Sequence, residues 1–264
     1  MTMTLLEITQ EVLNHMTGDS VNSIFDTEES EQVASIVVST YRAMVSNTNW
    51  PFHRRLAELT ASGNNLLPTH MTLPANVKRV ITVKYNTAVS GVTRKQYNEM
   101  EWVSPDDFLR KTNNRNSDVA ETDVIIDPSG VELLIRNDTA PSFYTSFDDT
   151  TLVFDSHDSV IDTTLQSNKT QLMAYIITTL ALTDGAVPDI PEDAFTGLVE
   201  ESKSRAQNKL RQFNDVKSEQ ESQRQRRFIS RQNWRTKGGI KYPNFGRKSR
   251  GRVVKDVTFE RGNP

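Results

Sequence analysis

Residues 172–188 read LMAYIITTLALTDGAVP, and the assignment of this stretch decides the fold. Leu172, Met173, Ile176, Ile177 and Leu180 recur at the spacing of one helical face, and Gly185 with Pro188 supplies a stop. The spacing predicts a helix. A second helix is expected from Pro191, capped by Asp189, with Phe195, Leu198, Val199, Ala206, Leu210 and Phe213 on its apolar face.

Two helices are also expected at the start of the chain. Leu5, Ile8, Val12, Leu13 and Met16 form a short amphipathic run ending near Gly18, and Val33, Ile36, Val37, Tyr41, Met44 and Val45 form a longer one from about Glu28 to Ser46. Asp26 suits the cap of the longer helix, with Glu29 three residues on. Between the helical pairs the period changes. After Trp50-Pro51-Phe52 come Pro68, Pro74 and β-branched residues, and Val80 to Tyr85 reads as a strand. Val124 to Ile126 and Val131 to Ile135 flank Asp127-Pro128-Ser129-Gly130, which suits a type I turn and so predicts a hairpin. Ser104 and Pro105 should open a short helix, and strands fit Phe143 to Phe147 and Thr151 to Phe154.

This order predicts an α+β fold: a discontinuous helical bundle with a β-rich insertion and an extended basic C-terminal arm. The bundle helices occupy 1–67 and 163–232, the insertion 68–162 and the arm 233–264.

Charge divides the 264 residues unevenly. Residues 203–264 carry 18 basic and 5 acidic side chains (+13), leaving 13 basic and 29 acidic (−16) in residues 1–202. A basic tail of this kind attracts phosphates or an acidic protein surface, including the body of a neighbouring copy. With no cysteine there is no disulfide framework, thiolate zinc site or cysteine nucleophile. No run approaches the roughly 18 apolar residues that cross a bilayer, so a soluble, cytoplasmically made chain without a membrane anchor is expected.

Markers of catalysis are sparse. His15, His53, His70 and His157 fall in separate predicted elements without HExxH spacing, and are expected to be surface or cap residues rather than metal ligands. Asp148, Asp149, Asp155, Asp158 and Asp162 form an acidic run without the EF-hand pattern, expected as a solvated turn; a pair of them serving a hydrolase is the alternative. No GxxxxGK[ST], GxGxxG or GxSxG occurs. The expectation is no catalytic residue, no cofactor and no metal.

The tail is more informative. Lys217 to Arg227 has no apolar residue, so a helix there finds no core and either projects into solvent or lies on another chain. Arg224, Arg226, Arg227, Arg231 and Arg235 interleave with Phe228 and Trp234, and KGGIKYPNFGRKSRG follows from Lys237. Guanidinium forks pair with carboxylates or phosphates, and aromatic rings anchor interfaces. Arg224, Arg227, Phe228, Arg231, Trp234, Tyr242, Asn244, Phe245 and Arg247 are therefore candidate partner-binding residues. The reading fails if residues beyond Val216 tuck into their own subunit's interior.

At these residues the chain resembles the head-to-tail adaptors of short-tailed bacteriophages, the tail tubular protein A-like connectors. The resemblance runs through Pro191-Glu192-Asp193, the basic stretch Lys203 to Arg231, Trp234, Gly238-Gly239 and Tyr242-Pro243-Asn244-Phe245-Gly246-Arg247, with Trp50-Pro51-Phe52 and Leu73-Pro74 in the body. It does not extend to residues 87–162. It implies a non-enzymatic virion protein of the neck, made in the host cytoplasm and assembled as a ring of twelve copies. Its implied partners are the portal protein, the tail nozzle and a tail fibre, with double-stranded DNA passing through the channel without sequence-specific binding. A nucleic-acid-binding protein acting through the basic tail is the alternative, since base stacking uses the same residue types.

Overall fold

The computed structural model describes residues 2–88 and 94–231. Among them, helix α1 spans Leu5–Met16 and opens with a reciprocal capping box, Glu7 N–H donating to Thr4 Oγ1 and Thr4 N–H to Glu7 Oε2. Helix α2 spans Glu28–Asn47 and is capped by Thr27 with Ser30, not by Asp26. Asp26 lies one residue too early, and its carboxylate instead accepts the N–H groups of Asn22 and Ser23 at 2.7 and 2.9 Å.

The expected helix over 172–180 is not formed. Thr170–Ile176 is a strand, β10, in which Thr170, Leu172 and Ala174 are buried and Gln171 is exposed. The apolar run satisfies both periods over this short distance, and long-range pairing decides between them. Leu172 sits between Val83 of β4 (Val77–Asn86) and Ala57 of β1 (Arg54–Ala57), both antiparallel. The β-branched residues Thr170 and Ile176 also favour the extended backbone. Beyond the strand, Ile177 and Leu180 pack against the helices, so one apolar run serves two layers.

This overturns the helical bundle with a β-rich insertion. The fold is mixed α/β, dominated by an eight-stranded curled sheet of order β1-β10-β4-β5-β8-β9-β3-β2. Its other members are β2 (Thr60–Ala61), β3 (His70–Thr72), β5 (Tyr97–Trp102), β8 (Phe143–Thr145) and β9 (Thr151–Phe154). Strands 54–61 and 170–176 lie in segments expected to be helical. Because β1 and β2 are separated only by Glu58 and Leu59, the two outermost strands come from one short run of chain and the sheet bends into a half-barrel. Leu59, Met71, Val83, Tyr85, Met100, Leu152, Phe154 and Leu172 form one buried core on it.

Among the described residues, all pairs in the sheet are antiparallel except β5 with β8. A parallel pair needs a long crossover. Here it contains α3 (Pro105–Thr112), capped by Ser104, and the hairpin of β6 (Thr122–Ile126) with β7 (Glu132–Arg136). The hairpin turn is as expected: Gly130 N–H donates to Asp127 O at 2.7 Å, and Gly130 has φ +86°. Phe108, Ile125, Leu133 and Ile135 form a second core beneath it.

Helix α4 spans Glu192–Ala206 and packs with α1 and α2 around Leu5, Ile8, Val33, Val37, Phe195 and Leu198. Pro191 occupies its cap position. Asp189, the expected cap, lies two residues outside and binds Arg55 and the Thr178 hydroxyl at 2.5 and 2.8 Å. Lys78 of β4 donates to Val45 O and Thr48 O at 3.1 and 3.0 Å, satisfying carbonyls at the end of α2 and joining sheet to helices.

Candidate docking surface

After α4 the chain widens into a π-helical turn over Gln207–Arg211 and reverses at Gln212, φ +53°. Phe213, expected on the apolar face of α4, therefore falls beyond the helix and is 64% exposed. Helix α5, Val216–Arg231, follows. Asp215 starts it by accepting the N–H groups of Lys217 and Ser218 at 3.1 and 3.2 Å. His15 of α1 binds the same carboxylate at 3.0 Å and, with the Ser218 hydrogen bonds, lowers its pKa to about 2.

Helix α5 does not stand apart from its own chain, which corrects the expectation for Lys217–Arg227. Ser218, Ser222 and Ile229 are buried, and α5 lies against α4. Small residues permit this. A Cβ placed on Gly197 of α4 would be 3.4 Å from Gln225 Cβ, so the helices approach closely without a hydrophobic stripe. The contact is polar at its centre. Glu201 accepts a hydrogen bond from the Ser222 hydroxyl, pairs with Arg205 at 2.9 Å and faces Arg226 at 4.0 Å. Burial pushes the Glu201 carboxyl up, but hydrogen bonds from Ser222 and Arg205 outweigh it and hold the group below its ordinary value.

The opposite side of α5 carries the expected chemistry. Lys217, Arg224, Arg227 and Phe228 face solvent; the Arg224 side chain is 79% exposed and Phe228 49%. A helical period brings Arg224, Arg227 and Phe228 onto one face, forming a basic surface with one exposed aromatic ring. The Arg231 side chain and Trp234, Tyr242, Asn244, Phe245 and Arg247 lie outside the described residues.

His53, His70 and His157 are 1%, 3% and 3% exposed, against the expected surface positions. His53 Nε2 contacts Asp189 O at 3.1 Å, and His70 Nε2 contacts Asp127 Oδ1 at 3.0 Å. Burial lowers the pKa of His53 and His157. Asp155 is likewise buried rather than in a solvated turn. Its Oδ1 accepts from the Ser142 and Phe143 N–H groups at 2.9 and 3.0 Å, and Oδ2 pairs with Arg115 at 3.2 Å. Nothing in the sequence marks these burials, because His and Asp in polar stretches look alike whether they face water or a partner.

Among the described residues, no three His, Asp or Glu side chains gather in a group able to hold a metal ion, and no helix is long and apolar enough to cross a membrane. No protein-family model matches the chain, and no curated protein matches its sequence.

Proposed function

We propose that this chain is a structural subunit of a head-to-tail adaptor ring in a short-tailed bacteriophage, joining the portal to the tail nozzle around the passage for DNA. The observation that carries the reading is the exposed Arg224, Arg227 and Phe228 face of α5, which leads in sequence into Trp234, Gly238-Gly239 and Tyr242-Pro243-Asn244-Phe245-Gly246-Arg247. Ile229 joins the core of α1, α2 and α4, and Ser218 and Ser222 are buried, which counts against docking by that side of α5 and leaves the reading on its outward face. In the free chain the inner side of α5 packs on its own subunit, and its outward face is open to a partner.

Charge supports self-assembly as well. Residues 203–264 are basic (+13) and residues 1–202 acidic (−16), so one copy can place its basic segment on the body of the next. Repeated around an axis, such a heterologous contact closes a ring. The phage ring of twelve is the size that the resemblance implies.

Electron microscopy of the full chain mixed with purified portal rings tests the reading, beside the same chain lacking 238–264. The full chain should cap the portals as rings and the truncated chain should stay unbound. Normal portal binding by the truncated chain would remove the docking role of the C-terminal residues. Salt-dependent DNA binding without portal binding would favour the nucleic-acid alternative.

A further inference from the structure

Helix α5 is held differently from every helix it neighbours. Helix α1 buries Leu5, Ile8, Val12 and Leu13, and α4 buries Phe195, Leu198 and Val199. Among the described side chains of α5, Ser218, Ser222 and Ile229 are buried, and of these only Ile229 is large and apolar; Val216 and Phe228 are 55% and 49% exposed. Burial of apolar surface is what fixes a helix to its body, so an element with one apolar anchor opens at lower cost than its neighbours.

The remaining contacts set where it opens. Arg211 pairs with Glu29 of α2 at 2.9 Å and His15 of α1 with Asp215 at 3.0 Å, so both sides of the reversal at Gln212 are tied to the body. The far half of α5 is held by Ser222 and Arg226 on Glu201 and by Ile229 in the shallow space lined by Thr40, Met44 and Gly197. The near end is also joined to α4 by the chain through Gln207–Arg211 and Gln212, so any opening turns about that end.

We infer that α5 is a releasable latch: it rests on α4 in the free chain and lifts from its Ser222–Ile229 end when an acidic partner surface takes Arg224, Arg227 and Phe228. Lifting redirects the basic face away from the body and uncovers the groove at Thr40, Met44 and Gly197. The partner-driven step rests on the proposed docking role; the opening itself rests only on the packing of α5.

The absence of cysteine gives a direct test in the full chain. Gly197→Cys with Gln225→Cys places two Cβ atoms near the separation of about 3.8 Å that a disulfide requires. Hydrogen exchange should show amides of 222–231 exchanging about 100-fold faster than those of 33–45 in the wild type and the reduced variant. Oxidation should bring them within about tenfold of 33–45. Equal protection of both segments in the wild type, or no change on oxidation, overturns the latch. Glu201→Gln gives an independent check, since it should speed exchange in 222–231 and leave 33–45 unchanged; unchanged exchange in 222–231 counts against the latch. With portal rings, the oxidised protein should bind at least about tenfold more weakly than its reduced form, a difference of about 1.4 kcal/mol. Equal binding would overturn release on docking. Failure of the wild type to bind portals, with the exchange contrast intact, would remove the adaptor reading and leave the opening of α5 standing.

Discussion

Arg115 and Asp155 form an ion pair inside the fold, Nη2 to Oδ2 at 3.2 Å, while Arg115 Nη1 also donates to Asp155 O at 2.6 Å. The two side chains are 15% and 6% exposed, so neither charge is fully solvated if its partner is removed. Asp155→Ala leaves Arg115 without its carboxylate, holding only main-chain carbonyls, and strands two main-chain N–H groups, and should cost about 3 kcal/mol. Urea unfolding at neutral pH should show the midpoint falling with the slope unchanged.

At Gly130 the turn of the β6–β7 hairpin uses φ +86°, which a side chain disfavours even though no atom beyond its chain neighbours lies within 4 Å of where a Cβ would stand. Gly130→Ala should therefore act through backbone strain alone and cost about 1 kcal/mol. Thermal unfolding should register roughly 2–4 °C for a chain of this size.

Asp148 gives the acid limb of stability a local origin. Partial burial raises its pKa, but hydrogen bonds from the hydroxyl and N–H groups of Thr150 and Thr151 prevail and bring it down from 3.8 to about 2. A carboxyl lowered in the folded state stabilises above its unfolded value, and that contribution is lost as pH falls through the folded one. Asp148→Ala should be less stable than the wild type at pH 7, with the difference closing between about pH 4 and pH 2. Chemical denaturation across that window measures it.

On the outer face of α5, Arg224→Glu with Arg227→Glu changes charge without disturbing the buried Ser218, Ser222 and Ile229. Unfolding free energy should stay within about 0.5 kcal/mol of the wild type. Affinity for portal rings should drop by at least about tenfold, measured by cosedimentation, if this face docks.

Signals confined to one element were legible. Helices α1 and α2 announce themselves through Leu5, Ile8 and Val12 and through Val33, Val37 and Tyr41, and the hairpin through Asp127-Pro128-Ser129-Gly130. The strand β10 was not, because Leu172 and Ile176 satisfy two periods at once and only pairing with β4 and β1 separates them. Of the docking face, Arg224, Arg227 and Phe228 were legible as exposed chemistry. The inner face was not: Ser218 and Ser222 look like solvent residues until the close approach at Gly197 makes their size the deciding property.

The run 54–61 supplies both margins of the half-barrel, yet its two halves wait on different parts of the chain. Thr60 and Ala61 pair with residues 71–72, which emerge from the ribosome soon after them, whereas Arg54 to Ala57 pair with residues 172–175. During translation one side of this ribbon can be zipped early while the other stays without its mate until more than two-fifths of the protein has followed. That pairing therefore closes late, and a ribosome stalled before residue 170 would hold a nascent chain whose β1 still lacks its neighbour.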